Sequence, residues 1–74
     1  MAVEYYTKRV APNNTVYHFS LHRHGSSFMT VTRERKWYQP NEILLQRTMY
    51  ENLEALKFFQ SLLDSFPRDQ LYKE

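Results

Sequence analysis

The apolar residues of this chain change their period once, near residue 48, and that switch decides most of what the chain can fold into. From Thr15 to Arg23 they alternate, with Tyr17, Phe19 and Leu21 on one side and Val16, His18, Ser20 and His22 on the other. A period of two belongs to a strand with one buried face. After Thr48 the apolar positions are Met49, Leu53, Leu56, Phe59, Leu63 and Phe66, in steps of three and four. That is the stripe of an amphipathic helix. Thr48 and Glu51 have capping-box spacing, and Pro67 ends the pattern, so the helix is expected over residues 49–66. Glu51, Glu54, Lys57, Ser61 and Asp64 supply its wet side. Phe58 and Leu62 widen the stripe beyond what one sheet face needs. Either another copy of the chain covers them, or they pack on the edge of the sheet.

The first half divides into strands at its turn residues. Residues 3–10 are rich in β-formers, and Pro12 with Asn13-Asn14 closes them off. Asn13-Asn14-Thr15 matches an N-glycosylation sequon in form, but here it reads as a turn. The second strand, 15–23, runs into His24-Gly25-Ser26, which holds the only glycine and is the natural place for a positive φ. A third strand over 28–35 pairs back on the second, and 42–47 makes a short fourth. The expected fold is therefore α+β: a four-stranded antiparallel sheet covered on one face by one C-terminal helix, in one small domain over 1–74. Tyr17, Phe19, Leu21, Met29 and Val31 face the helix. His18, Ser20, His22, Phe28, Thr30 and Thr32 are left on the opposite face. Residues 67–74 are either a frayed tail or a strap on a partner.

Size limits what can stabilise such a domain. With 74 residues the core is small, and with no cysteine a disulfide framework or a cysteine-ligated metal is excluded. Oligomerisation is the remaining common route. The first nine residues carry acid and base without an apolar signal-peptide core, and no run of about 18 apolar residues exists to span a membrane. The expectation is a cytoplasmic protein, or a nuclear one in a eukaryote, neither secreted nor in a membrane.

Charge is unevenly placed. Residues 1–38 carry six Lys or Arg against two acids, and residues 39–74 carry four against six. One basic half joined to an acidic half fits a domain with one polyanion-facing surface. The densest cluster is Arg33-Glu34-Arg35-Lys36-Trp37-Tyr38, three cations followed by two large rings. Cations neutralise phosphates and exposed rings stack on unpaired bases, a combination suited to single strands. Lys8, Arg9, Tyr5, Tyr6 and Arg23 extend the basic side, and His18 and His22 line the sheet. The competing reading makes Trp37 a core or dimer-interface anchor, as a lone Trp often is. Arg33 and Arg35 share the parity of Met29 and Val31, so reaching a ligand requires the strand to outrun the helix or a bulge to turn them.

Other chemistry has little to build on. His18, His22 and His24 alternate onto one strand face, but His24 belongs to the turn and no carboxylate is close in sequence, so no metal is expected. Gly-rich phosphate loops, a Gly-x-Ser-x-Gly elbow and a helical His-Glu-x-x-His are absent from the sequence. No cofactor and no enzymatic activity are expected.

With these elements in place, Asn14 to Phe66 resembles one repeat of the Pur-alpha family of purine-rich-element binding proteins. The likeness lies in Val16-Tyr17-His18-Phe19-Ser20-Leu21, the Gly25 turn, Phe28-Met29-Thr30-Val31-Thr32, Ile43-Leu44-Leu45, and the long helix from Tyr50 to Phe66. Whirly-like single-strand binders share the unit. The resemblance implies a sheet platform for single-stranded DNA or RNA and two repeats intertwined through their helices. For a one-repeat chain that implies a homodimer, with Phe58, Leu62 and Phe66 at the interface. Ser26-Ser27 stands where the family carries basic residues, and Trp37-Tyr38-Gln39-Pro40 builds its own connection. The alternative function is a small protein-interaction module or inhibitor of mobile-element origin that engages a host protein.

Overall fold

The computed structural model describes residues 3–73. Strands β1 (Val3–Val10), β2 (Val16–His24), β3 (Ser26–Arg33) and β4 (Glu42–Met49) precede helix α1 (Asn52–Asp64) and a 3-10 turn at Gln70–Tyr72. The sheet order is β1-β2-β3-β4, every neighbouring pair antiparallel. This is the expected α+β fold, a four-stranded antiparallel sheet followed by one C-terminal helix. Among the described residues no helix is long and apolar enough to cross a membrane.

Two turns set the register. Gly25 sits at φ 85° between the paired residues His24 and Ser26. An added Cβ there meets nothing within 4 Å, so backbone conformation alone favours glycine. Asn14 adopts φ 70°, a conformation asparagine tolerates. Beside it the Thr15 N–H donates to Asn13 Oδ1 at 3.1 Å and the Ala11 N–H to the Thr15 carbonyl at 2.9 Å. The Asn-Asn turn of the sequence is thus a hairpin tip. Tyr17, Phe19, Leu21, Met29 and Val31 are all buried under the helix, as their alternation requires.

The third junction is irregular. Val31 pairs with Leu45 but Thr32 pairs with Ile43, so Leu44 is the extra residue of a β-bulge. A regular strand would turn either Leu44 or Leu45 away from the core, whereas here both pack against it. The bulge also resets parity, which brings Glu42 opposite Arg33. The Arg33 Nε–H donates to Glu42 Oε1 at 3.0 Å, and Nη2 reaches the same oxygen. This hydrogen bonding raises the guanidinium's pKa above its ordinary value.

The helix departs from expectation at both ends and in its rotation. Thr48 and Met49 belong to β4, paired with Phe28 and Ser27, so the Thr48–Glu51 capping box does not form. Glu51 is the N-cap residue in extended conformation, and no side chain caps the helix. The buried line is Ala55, Phe59 and Leu62, while Leu53 is 65% exposed. Ala55 is completely buried, and its small side chain allows the backbone to approach the sheet. The three- and four-residue steps fit several neighbouring stripes, and contact at Ala55 selects this one.

Residues 67–73 are not a frayed tail. They fold back so that Tyr72, 4% exposed, plugs the core. Its ring meets Tyr17 at 5.5 Å and Phe66 at 5.1 Å edge to face. Its hydroxyl donates to the Leu62 carbonyl at 2.9 Å, and the Tyr17 hydroxyl donates to the Tyr72 carbonyl at 3.2 Å. Asp69 Oδ1 holds the turn by accepting from the Leu71 N–H at 3.0 Å.

Candidate nucleic-acid interface

The uncovered sheet face is organised in cross-strand rows. Register places Lys8, His18, Thr32 and Ile43 in one row, Tyr6, Ser20, Thr30 and Gln46 in the next, and Glu4, His22, Phe28 and Thr48 in a third. Side chains directly opposite in neighbouring strands lie close enough to touch. The result is a polar surface studded with rings, of which Tyr6 is 63% and Phe28 39% exposed.

A hydrogen-bonded chain fixes its centre. The Tyr6 hydroxyl and His18 Nδ1 are hydrogen-bonded, and the rings stack at 5.7 Å with a 27° interplanar angle. His18 Nε2 lies 2.5 Å from Glu34 Oε2. A carboxylate oxygen accepts, so the Nε2–H of His18 is the donor to Glu34. Glu34 is held in turn because its N–H donates to the Val16 carbonyl at 2.9 Å, extending the β2–β3 ladder by one residue. At the other end of the face His22 Nδ1 is 3.4 Å from Glu4 Oε1. Both sheet histidines therefore already have a carboxylate. Among the described residues no three His, Cys, Asp or Glu side chains gather as a metal site.

Beyond Glu34 the chain leaves the sheet in a loop at the same end as Lys8 and His18. Arg35 and Lys36 are exposed there, and among the described residues neither makes an ion pair. The Gln39 N–H donates to the Lys36 carbonyl at 2.8 Å, which turns the loop and presents Trp37 and Tyr38 at its tip. Trp37 is 95% and Tyr38 60% exposed, their rings edge to face at 5.5 Å. Trp37 is thus not a core anchor of this chain.

The residues expected to bind a strand divide between the two faces. Lys8, His18 and His22 share the open face, and Arg35, Lys36, Trp37 and Tyr38 continue from it. Arg9 and Arg33, whose register partner is the buried Tyr17, and Arg23, paired with Ser27, carry the parity of the helix side. Arg33 is committed to Glu42. Of the residues expected at a dimer interface, Leu62 is in the core, Phe66 is half-buried and meets Tyr17 edge to face at 5.1 Å, and Phe58 is half-buried with Arg47 4.7 Å over its ring. Folding back of residues 67–73 and the cover of Arg47 use apolar surface that the stripe alone suggests is surplus.

Sequence pattern places Tyr6 on the basic side and Glu34 in the 33–38 cluster but does not foresee their link through His18, although a signal for Glu34 exists. A turn centred on Gly25 pairs residue 18 with residue 32, so residue 34 falls diagonally beside His18. Comparison with family models, curated protein sequences and solved structures finds no match for this chain. Fold and face define an α+β protein whose four-stranded sheet is half covered by its helix and half open.

Proposed function

We propose that this protein is a non-enzymatic binder of single-stranded DNA or RNA that acts as a homodimer. The observation that carries the reading is the loop Arg35-Lys36-Trp37-Tyr38, with Trp37 95% exposed beside two exposed cations and at the edge of the open face. An exposed indole forgoes burial, and base stacking returns about 1–3 kcal/mol per base. Lys8 extends the cationic track onto the sheet, where Tyr6, His18 and Phe28 offer further rings. The Pur-alpha-like order of elements supports the same ligand class and a paired assembly. Leu53 and Tyr50, 65% and 85% exposed near the start of α1, offer apolar surface to a second copy.

Fluorescence anisotropy with labelled oligonucleotides tests the reading. Three phosphate contacts from Lys8, Arg35 and Lys36 give log K against log salt a slope of about −2. No binding at low salt contradicts it. Light scattering reports the dimer, and a clean monomer removes that part. The second reading, a protein-interaction module, is favoured by Ile43, 57% exposed on the open face. Salt-insensitive capture of one protein distinguishes it.

A further inference from the structure

β1 is the outermost strand on one side of the sheet, and among the described residues no strand pairs with its outer edge. It keeps one register with β2 over all of Val3–Val10, with neither a bulge nor a proline. The opposite edge, β4, carries the bulge at Leu44, one of the devices that keep an edge from pairing with another chain. Two hydrogen bonds fix which groups of β1 are free. The Ala11 N–H donates to the Thr15 carbonyl and the Glu34 N–H to the Val16 carbonyl, both at 2.9 Å. Hydrogen-bonded pairs alternate along an antiparallel ladder, so the odd-numbered residues of β1 turn their main chain toward β2. Glu4, Tyr6, Lys8 and Val10 turn theirs outward.

These outward residues also lie on the open face, where an added strand has to match them. Lys8 guards the edge, because a lysine there discourages pairing and a like charge directly opposite is destabilising. The strand that satisfies it carries an acid at the matching position, and β1 itself is such a strand. Turned about a two-fold axis through Tyr6, Glu4 of each copy falls opposite Lys8 of the other, and Tyr6 opposite Tyr6. Moving the axis to Tyr5 or Thr7 loses both charge pairs, since Glu4 then meets Tyr6 or Val10. Helix α1 packs over β3 and β4, so two helices stay apart on the far sides of the joined sheet.

We propose that the homodimer of the reading above, on which this inference rests, forms edge to edge through β1 and joins two four-stranded sheets into one. The interface is isologous, as a two-fold axis requires. Each row of the open face then crosses the axis: Lys8 and His18 of one protomer continue into the partner's Glu4, His22 and Phe28. Lys8 stays available to a phosphate, because an ammonium has donors beyond the one that Glu4 engages.

Sedimentation velocity over a concentration series, with amide hydrogen exchange of the whole protein followed by NMR, tests the interface. The Glu4, Tyr6 and Lys8 amides should be protected in the dimer and exchange freely in the monomer, while β2 protects Tyr5 and Thr7 in both. Glu4→Lys and Lys8→Glu each set like charges opposite at both pairs, and each should weaken dimerisation about tenfold or more. The double swap Glu4→Lys/Lys8→Glu restores opposite charges and should recover it. Both side chains are exposed, and circular dichroism checks that each variant folds. A monomer at every concentration, a dimer whose Glu4, Tyr6 and Lys8 amides exchange freely, or a double swap no better than the single changes overturns the proposal. So does a dimer that the exposed-site variant Leu53→Ser disrupts while both charge variants leave it intact. Strand binding is read separately by Trp37 fluorescence. A monomer that binds the strand overturns the interface alone, and a β1-paired dimer that binds none upholds the interface and overturns strand binding alone.

Discussion

Single residues at opposite extremes of exposure carry the two halves of the account. Tyr72 is a core residue, and burial pushes its phenol up from 10 to about 12. The folded state thus keeps a proton that the unfolded chain releases, so this contribution to stability is complete below pH 10 and disappears as pH rises toward 12. The loss amounts to at most ~3 kcal/mol, and melting curves across that range should show it in wild type but lose this component in Tyr72→Phe. Trp37 is the reverse case. Trp37→Ala should leave the melting temperature unchanged and weaken strand binding about 5- to 150-fold without altering the salt slope, corresponding to one stacked base. Tyr72 was not legible as a core residue, because sequence alone leaves residues 67–74 as a tail or a strap, and only the path of the chain past Pro67 buries it. For Trp37 sequence offers an exposed ring and a buried anchor, and the path past Glu34 exposes it.

Elements were legible where a local pattern has a single solution. The alternation of β2, the glycine at the β2–β3 turn and the three- and four-residue steps of α1 lead to the observed sheet and helix. Junctions were not, because several local solutions compete and tertiary pairing chooses. The Thr48–Glu51 spacing satisfies a capping box, yet pairing of Thr48 with Phe28 keeps it in β4. Thr48→Ala should therefore change stability by no more than about 0.5 kcal/mol, where loss of a working cap costs ~1 kcal/mol; denaturant unfolding reads the difference. Ile43-Leu44-Leu45 has no period at all, and the bulge that resolves it follows from contact with the core. For the β3–β4 loop the expectation is electrostatic. Replacing Arg35 and Lys36 together with Ala should flatten the salt slope by about 1.4, since each single-strand phosphate contact contributes ~0.7.

At the scale of the molecule, the basic first half supplies β1 to β3 and the start of the β3–β4 loop, and the acidic second half supplies β4 and the helix. The charge asymmetry pointed to a polyanion surface, but half of the first-half cations, Arg9, Arg23 and Arg33, lie on the helix side. What remains for a strand is Lys8, Arg35 and Lys36, together with rings that the register collects from three strands. A binder of this kind should recognise flexible single strands through stacking and a few phosphates, and should discriminate against duplexes, whose bases are already stacked. The chain holds one tryptophan, so intrinsic fluorescence reports the loop tip without a label. Titrating the protein at low salt with single-stranded and duplex oligonucleotides of the same sequence tests the central claim most directly. Saturable quenching of Trp37 by the single strand, absent with the duplex and diminished by salt, is the predicted result. Emission that neither oligonucleotide changes contradicts it.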